Sequence, residues 1–222
     1  VTHYEPPEPL TPGLCDVTPE GFHPNYDVDA LLRYAHVFES GEPVWVTEKI
    51  HGANARFCYA AGPDCLTRMR AGSRTEWKKP DPTCIWWKVL DQCPQLEAFC
   101  RENPDITVYG EIYGSVQSLR YGHSQGQVSL AVFDLLWGSE WIDPIPARDM
   151  GCKLPWVPIM DDDHPFDLEA LQKLANGPSL IPGADHFREG IVVKPMHERT
   201  HLEIGRVNLK IVGSQYLERS KG

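Results

Sequence analysis

The sequence lacks several features that would each indicate a particular class of protein. No apolar run approaches the roughly 20 residues that a membrane-spanning helix needs. The N-terminal stretch VTHYEPPEPLTPG has neither a basic start nor an apolar core, so it does not predict a signal peptide. No GK[ST] triplet occurs, which excludes a P-loop as the phosphate-binding device. We therefore expect a cytoplasmic protein with no membrane partner.

Metal-type cysteine spacing is also missing. The chain has seven cysteines, and no two of them form a C-x-x-C pair, so a structural zinc site has no spacing to support it. Six of them sit among apolar or aromatic neighbours, which predicts buried thiols in a reducing compartment. These six are Cys58, Cys65, Cys84, Cys93, Cys100 and Cys152.

Positive charge is scarce overall. The 222 residues carry a net charge of −10, which argues against a protein that coats nucleic acid through bulk charge. Local basic stretches do occur, at 68–79 and towards the C-terminal end, so a local basic groove is not excluded.

Hydrophobic periodicity predicts a mixture of strands and short helices. Strands are predicted at 44–50, 54–60, 66–71, 106–114, 127–137, 189–195 and 206–212. Helices are predicted at 28–38 with Asp27 as the cap, at 84–102 with a break or a new start at Pro94, and at 167–176 before Gly177. Residues 72–83 read as a polar loop. The pattern indicates an α+β fold with mostly antiparallel sheets, because few strand pairs are separated by a crossover helix. We expect an irregular, proline-rich lead-in at 1–26 and one domain at 27–222.

Two short motifs match unrelated enzymes. GHSQG at 122–126 fits the G-x-S-x-G elbow of serine hydrolases, in which Ser124 would need a buried strand before it and a helix after it. HERTH at 197–201 fits H-E-x-x-H, which needs both histidines on one face of a helix to hold zinc. In both cases the flanking residues favour strands and turns, so we expect loop residues instead.

A lysine at a strand end is the starting point of a third interpretation. In VWVTEKIHGAN (44–54) a predicted strand ends at Lys49, and a glycine turn follows. A single lysine in this setting is usually solvated. The alternative is a nucleophile held on a rigid strand, with Gly52 keeping the turn open for a ligand.

Six segments in order favour the nucleophile. They are EKIHGAN (48–54), GSR (72–74), YGEIYG (109–114), AVFDLL (131–136), EGIVVK (189–194) and NLKIV (208–212). Over about 40–222 this constellation resembles the covalent nucleotidyltransferases, in the form found in ATP-dependent RNA ligases. GEIYGSVQSLRYG and YLERSKG resemble most the bacterial RNA-repair ligases typified by the Deinococcus enzyme.

The resemblance implies an α+β nucleotidyltransferase core of the DNA/RNA-ligase type, unrelated to ATP-grasp proteins. Its mostly antiparallel sheets would be flanked by helices, with the nucleotide between the sheets. It implies an RNA ligase that seals 5′-phosphate and 3′-hydroxyl ends through lysyl-AMP and an adenylylated 5′ end. The cofactors would be ATP, as the AMP donor, and Mg²⁺ or Mn²⁺. The partner would be RNA, or an RNA-containing duplex with a nick, and the protein would be a monomer.

The resemblance also assigns roles to individual residues. Lys49 would attack the α-phosphate of ATP, and Glu189 would be the metal-site carboxylate. Glu111 would take the ribose hydroxyl, and Phe133 would stack on the adenine. The other expected nucleotide-binding residues are Glu48 (near the adenine amino group), His51, Asn54, Arg74, Lys194 and Lys210.

One position departs from the family pattern. Many relatives have lysine-any-lysine where this chain has Asn208-Leu209-Lys210, so one cation is missing. Relatives often carry a separate OB-type module as well, and the chain is about the size of the nucleotidyltransferase core alone. Two further readings stay open. One is a DNA-nick ligase, and the other is a nucleotide- or nucleic-acid-binding module without turnover.

Overall fold

The structure is a computed structural model, and it describes residues 15–63 and 65–219. The strands in these residues are β1 (Cys15–Asp16), β2 (Asp29–Ala30), β3 (Pro43–Lys49), β4 (Ala53–Ala61), β5 (Thr67–Gly72), β6 (Trp77–Lys78), β7 (Ile106–Gly114), β8 (Val128–Trp137), β9 (Glu140–Trp141), β10 (Ile159–Pro165), β11 (Gly190–Pro195), β12 (Thr200–His201), β13 (Gly205–Arg206) and β14 (Leu209–Val212). The α-helices are α1 (Leu31–Tyr34), α2 (Ile85–Gln92), α3 (Pro94–Glu102), α4 (Pro144–Met150), α5 (Leu168–Leu174) and α6 (Ser214–Arg219), and a 3-10 turn, Ala35–Val37, follows α1.

Two sheets form the framework. The larger, sheet A, has the strand order β1-β6-β5-β4-β7-β8-β9, and the smaller, sheet B, has the order β10-β3-β11-β14-β2. Within the described residues, every ladder in these sheets is antiparallel except the parallel pair β14–β2. The predicted α+β fold with mostly antiparallel sheets is confirmed at this level.

Sheet A is held by an apolar core on one face. Strands β4, β5, β7 and β8 supply branched and aromatic side chains to this core, and α2 and α3 cover it through Val89, Leu90, Leu96 and Cys100. Pro94 stands in the first turn of α3, where its missing N–H costs no hydrogen bond. Of the two predicted alternatives, a break or a new start at Pro94, the structure shows a second helix that starts at Pro94.

Sheet B has an apolar face and a second face that carries several lysines. Alternate residues of β3, β11 and β14 enter a second core that is covered by α1 and α5. These residues are Val44, Val46, Ile191, Val193, Leu209 and Ile211. Because side chains alternate between the faces of a strand, the residues between them face the other side. Thr47, Lys49, Lys194 and Lys210 are among those residues, so the apolar core fixes the direction in which the lysines project.

The predicted strands are present, and three other details of the prediction are wrong. Asp27 does not cap a helix at 28–38, because residues 29–30 join sheet B beside β14 and the helix begins only at Leu31. The predicted polar loop at 72–83 contains β6, which pairs with β5. Cys58, Cys93 and Cys100 are buried, but Cys65 and Cys152 are exposed and Cys84 is half-buried.

The lead-in predicted at 1–26 is described only from residue 15, and its first fourteen residues lie outside the described part. From Cys15 onwards it lies against sheet A. β1 pairs with β6, the Arg56 guanidinium donates to the His23 carbonyl oxygen, and the Arg70 guanidinium meets Asp16 at 3.0 Å. None of the helices in residues 15–63 and 65–219 is both long and apolar enough to cross a bilayer.

Candidate active site

A cavity of about 680 Å³ lies between the two sheets. Sheet A supplies side chains from β4, β7 and β8, and sheet B supplies them from β3, β11 and β14. Eight of the ten predicted site residues line it: Glu48, Lys49, Asn54, Arg74, Glu111, Phe133, Lys194 and Lys210. The other two, His51 and Glu189, lie next to Lys49. Residues far apart in the sequence are thus brought together around one space.

Lys49 is the last residue of β3 and is paired with a carboxylate. Its Nζ lies 2.9 Å from Glu189 Oε1, and the two side chains are 22% and 13% exposed. Gly190 is opposite Lys49 in the β3–β11 ladder, which places Glu189 at the end of the neighbouring strand. A Cβ atom on Gly190 would lie 1.9 Å from the Ile211 carbonyl oxygen, so the close packing of β11 on β14 requires glycine there.

Gly52, three residues after Lys49, makes a close contact with sheet A. A Cβ atom on Gly52 would lie 2.1 Å from the Ile112 carbonyl oxygen and 3.0 Å from Glu111 Cγ. Gly52 therefore lets the turn close onto β7 of sheet A, and the expectation that it also keeps the turn open for a ligand stays a prediction. This contact joins the turn after the lysine to the strand that carries Glu111.

His51 lies between Glu189 and two tyrosines. Its Nδ1 is 3.5 Å from Glu189 Oε2 and 3.3 Å from the Tyr216 hydroxyl of α6. Its backbone N–H donates to the Tyr121 hydroxyl at 2.7 Å. Burial alone would raise the pKa of Glu189, but His51 and Lys49 hold that pKa below its usual value. The carboxylate is thus ionised beside the lysine.

On sheet A, Asn54 and Glu111 are partners across the β4–β7 ladder. Asn54 Oδ1 is buried and has no hydrogen-bond partner among the described residues, while its backbone oxygen accepts from Trp86 Nε1 at 3.0 Å. Burial raises the pKa of Glu111 to about 7, against the opposing attraction of Lys49. This wall therefore offers an acceptor without a partner and a carboxyl group that titrates near neutrality.

Glu48 is held by the loop that follows α5. Its side chain is 1% exposed, and its oxygens accept from the Ser179 hydroxyl and from the Leu180 N–H, both at 2.6 Å. Burial raises the pKa of Glu48, and these two donors oppose that rise. Both oxygens are already bonded, so its contact with an adenine amino group stays a prediction.

An aromatic pair forms a further wall. Phe133 is half-buried, and its ring centroid lies 4.4 Å from that of Tyr26, with 44° between the planes. The Tyr26 hydroxyl donates to Asp134 Oδ2 at 2.7 Å, which fixes the ring of Tyr26 behind Phe133. Phe133 is thus supported from one side, as a planar ligand surface requires.

The three remaining predicted cations differ in their partners. Lys194 is 3% exposed and donates to Asp134 Oδ2 at 2.6 Å and to the Phe133 carbonyl oxygen at 3.0 Å. Arg74 is exposed and meets Asp27 at 3.1 Å. Lys210 is half-buried on β14, and within the described residues it has no ion-pair partner. Lys194 therefore lines the cavity as part of a buried ion pair.

One oxygen of Asp134 accepts three hydrogen bonds. The Lys194 ammonium, the Tyr26 hydroxyl and the Arg206 guanidinium all reach its Oδ2, the last at 2.7 Å. Burial alone would raise the pKa of Asp134, but Arg206 and Lys194 hold it below the usual range. Arg206 also bonds Glu198 and lies 3.8 Å over the Trp141 ring. This network ties sheet B to β8 of sheet A beside the cavity.

The departure at Asn208 leaves an unusual amide. Asn208 is 2% exposed, and neither its Nδ2 nor its Oδ1 has a hydrogen-bond partner among the described residues. It precedes Leu209, which pairs with Val193, so it lies next to Lys194 on the same side of sheet B. The missing lysine is thus replaced by a neutral buried side chain.

The two competing motifs do not form sites. Ser124 lies in an exposed turn, and the segment after it is β8 instead of the helix that a nucleophile elbow needs, so the hydrolase interpretation is wrong. HERTH is not helical either, because His201 belongs to the β12–β13 hairpin and His197 pairs with Asp143 at 2.9 Å. The zinc-protease interpretation is therefore also wrong.

Several cavity residues were missed from the sequence. The segment 26–29 lines one side, where a proline-rich lead-in was predicted to end, and Trp86 lines another. The only available signal was the aromatic and acidic character of Tyr26, Asp27 and Asp29 in a segment without periodicity. Tyr121, whose hydroxyl accepts from the backbone of the turn after Lys49, lies in the segment GEIYGSVQSLRYG that carries the family resemblance, but no role was assigned to it from the sequence.

Comparison with known proteins agrees with the geometry. A family model described as RNA ligase matches residues 42–212. The Naegleria gruberi RNA ligase with PPi superposes with a TM-score of 0.72 at 22% identity, covering 99% of this chain and 65% of that one. A variant of that ligase with ATP and Mn gives 0.71 at 21% identity with the same coverage. Another, with AMP and Mn, gives 0.72 at 21% identity and covers 95% and 64%.

At these identities, the solved structures show a common fold. The chain spans 65% of the length of the first of these ligases. A search of curated proteins returns no match. The closer likeness to the bacterial ligases of the Deinococcus type stays a prediction.

Proposed function

Because this chain belongs to the RNA ligase family, we propose that it is the nucleotidyltransferase core of an ATP-dependent RNA ligase. It would join 5′-phosphate and 3′-hydroxyl RNA ends in three steps. Lys49 would first accept AMP from ATP, the AMP would then pass to the 5′-phosphate, and the 3′-hydroxyl would finally displace it. The observation that carries this proposal is the position of Lys49 at the edge of the cavity, on a rigid strand and beside Glu189.

The first step needs an unprotonated amine directed at the α-phosphate. Ladder pairing with β11 fixes the backbone of Lys49 on one side, and the turn that contacts Ile112 fixes it on the other. Nitrogen attacks phosphorus, the bond to the bridging oxygen breaks, and pyrophosphate leaves with that electron pair. Lys210 would stabilise the charge that gathers on the phosphates, because a cation near the transferring group lowers the barrier.

The nucleoside would occupy the sheet-A wall. Phe133, supported by Tyr26, offers a ring face for the adenine. Glu111 and Asn54 line the same wall and provide acceptors for the ribose hydroxyls. ATP as the donor is supported by the related ligase, whose structures hold ATP, AMP and Mn.

The residues present also fit a divalent cation. Glu189 Oε2 is buried and makes no hydrogen bond among the described residues, and His51 Nδ1 lies 3.5 Å from it, so this oxygen keeps acceptor capacity. The described residues contain no cluster of three or more metal-ligating side chains. Mg²⁺ and Mn²⁺ suit such a site, because Mg²⁺-type cations bind through one or two carboxylates together with substrate phosphates and water. Glu189 would hold the cation, which would supply positive charge at the α-phosphate.

The proposed activity also involves partners outside this core. The chain spans 65% of the matched Naegleria ligase, and a separate OB-type module, which relatives often carry, would grip the nucleic acid. The partner is proposed to be RNA with a nick, the protein to act as a monomer, and its location to be the cytoplasm. A DNA-nick ligase and a binding module without turnover are the alternatives that the experiment below separates.

The decisive experiment measures the intact mass of the protein after incubation with ATP and either Mg²⁺ or Mn²⁺. We expect a gain of one AMP, located on Lys49 by peptide mass spectrometry and reversed by pyrophosphate. Lys49→Ala should not gain it. Lys173→Ala is the matched control, because Lys173 is exposed on α5, which covers the opposite face of sheet B.

Two results would count against the proposal. No adduct with either metal, and none removed by pyrophosphate, would indicate a binding module without turnover. If the adduct forms, the acceptor is tested with nicked duplexes whose 3′-hydroxyl strand is RNA or DNA. Equal or better sealing of the DNA strand would replace RNA ligase by DNA-nick ligase.

A further inference from the structure

Tyr121 has a backbone conformation that tyrosine rarely adopts. Its φ is +50°, and that of the following Gly122 is +75°. The two residues form the centre of a turn that is closed by a hydrogen bond of 2.9 Å from the His123 N–H to the Arg120 carbonyl oxygen. Positive φ at both central positions is the pattern of type I′ turns, where Gly, Asn and Asp dominate. A bulky residue there costs on the order of 1–3 kcal/mol, and such strain persists only where the surroundings impose it.

The surroundings of Tyr121 show what imposes it. The side chain is 1% exposed and packs with Ile50 and Leu119 in a small core beneath the turn that follows Lys49. Its ring and that of His186 pack edge to face, with the ring centroids 4.5 Å apart. Its hydroxyl accepts the His51 N–H at 2.7 Å. The strained turn thus delivers one hydroxyl to one backbone amide, two residues after the lysine.

That amide has no strand partner. β3 ends at Lys49 and β4 begins at Ala53, so the residues between them lie outside both ladders. Tyr121 accepts from the backbone of His51, and Tyr216 contacts the ring of the same residue. On the other side, Gly52 is in close contact with Ile112. Removal of the Tyr121 hydroxyl would free the turn at its centre.

We propose that Tyr121 is a positioning residue for adenylylation, whose hydroxyl fixes the His51 turn and thereby the direction in which Lys49 projects. This inference rests on the proposed function, since it concerns the same nucleophile. Attack on phosphorus needs the amine near the axis of the departing pyrophosphate, and a displacement of about 1 Å can cost about 100-fold in rate. The nucleoside wall of the cavity belongs to β4, β7 and β8, so ATP binding should depend little on this hydroxyl.

The test uses Tyr121→Phe, which keeps the ring and the turn and removes only the hydroxyl. Single-turnover formation of lysyl-AMP is measured against ATP concentration. We expect the maximal rate to fall about tenfold or more, with the half-saturating ATP concentration changed less than about twofold, as for a loss confined to the transition state. Tyr109→Phe is the control. Tyr109 is also buried, and its hydroxyl also bonds a backbone group, the Pro24 carbonyl oxygen at 3.0 Å, away from the His51 turn.

A second measurement does not depend on ligase activity. Hydrogen–deuterium exchange of the peptide that contains His51 should become faster in Tyr121→Phe and stay unchanged in Tyr109→Phe, because the amide has lost its acceptor. An unchanged exchange rate in Tyr121→Phe would refute the idea that the Tyr121 hydroxyl holds the His51 turn. Faster exchange with an unchanged adenylylation rate would refute the proposal that Tyr121 positions Lys49. Equal losses of adenylylation rate in Tyr121→Phe and Tyr109→Phe would refute it as well.

Failure of the proposed function gives a different result. If the wild-type protein forms no adduct, the proposed function fails and the positioning role fails with it, whereas the exchange measurement still reports whether the hydroxyl holds the turn. If the wild-type protein forms the adduct and Tyr121→Phe forms it equally fast, only the inference about Tyr121 is overturned.

Discussion

Glu111→Gln should stabilise the folded protein, and the gain should grow as the pH rises. The Glu111 carboxyl group lies on the cavity wall, and its burial raises its pKa from 4.5 to about 7, while Lys49 pulls it down and Glu189 pushes it up. Between those two pH values the folded state keeps a proton that the unfolded state has lost. The stability contributed by this group is therefore complete below 4.5, declines as the pH rises, and is lost above about 7.

The size of the effect follows from the width of that window. One pKa unit corresponds to about 1.4 kcal/mol, so the interval from 4.5 to about 7 corresponds to roughly 3 kcal/mol. The carboxyl group lines a cavity and keeps part of its hydration, which reduces the expected gain to about 1–3 kcal/mol. Glutamine has nearly the same shape and carries no charge, so it avoids this cost at every pH.

The assay is urea unfolding of the wild-type protein and Glu111→Gln at pH about 5 and about 8. The difference in free energy of unfolding should favour the variant by about 1–3 kcal/mol more at the higher pH. Glu140→Gln is the matched control, because Glu140 is an exposed carboxylate on β9 of the same sheet. Its difference from the wild type should be the same at both pH values.

One result would refute the reasoning. If the difference between Glu111→Gln and the wild type does not change with pH, Glu111 is ionised alike in the folded and unfolded states. The cavity wall would then be more polar, or the pull of Lys49 stronger, than the geometry implies. A change of the same size in Glu140→Gln would instead attribute the pH dependence to the charge balance of the whole protein.

Two further predictions concern the framework of the site. Gly52→Ala should destabilise the protein by about 1–3 kcal/mol in thermal unfolding and abolish the AMP adduct in the intact-mass assay, because its Cβ would lie 2.1 Å from the Ile112 carbonyl oxygen. Unchanged stability would show that the turn does not need this close contact. Asp134→Ala should cost about 3–5 kcal/mol in urea unfolding, because it leaves Lys194 buried without its carboxylate and removes one of the two carboxylates bonded to Arg206. A loss below about 1 kcal/mol would mean that water reaches Lys194.

The strands could be predicted from the sequence because their alternation is strong. In β3, β11 and β14, residues that enter the core alternate with residues on the other face of sheet B. That other face carries apolar Trp45 and Val192 as well as Thr47, Lys49, Lys194 and Lys210. The same alternation that identifies the strands sends Lys49, Lys194 and Lys210 to one face. The site residues themselves were assigned by the family resemblance, and the alternation explains why these three lysines face the same side.

The elements that were missed lack such a signal. β10 has the sequence Ile-Met-Asp-Asp-Asp-His-Pro and is an edge strand that pairs with β3 through two register shifts. Its run of acidic residues is not typical of a strand, so the sequence did not predict it. α4 contains two prolines in seven residues, so the sequence did not predict a helix there. The first residues of the helix predicted at 28–38 pair with β14 in sheet B instead. In each case a tertiary contact, not local propensity, decided the conformation.

Contacts between residues far apart in the sequence could not be predicted either. Lys194 and Asp134 are 60 positions apart, and their ion pair exists only because β11 and β8 meet beside the cavity. Lys194 lines the cavity and is also paired with a buried carboxylate, and its contact with a nucleotide stays a prediction. The close approach of Gly52 to Ile112 likewise depends on how the two sheets meet.

The charges around the cavity explain how an acidic protein could hold a polyanion. Lys49 is balanced by Glu189, Lys194 by Asp134, and Arg74 by Asp27 at the exposed rim. Lys210 lines the cavity and, within the described residues, has no carboxylate partner. Asn208, which stands where many relatives have a second lysine, is buried and adds no charge. The uncompensated positive charge that sheet B presents to a phosphate therefore rests on Lys210, and a cation bound at Glu189 would supply the rest.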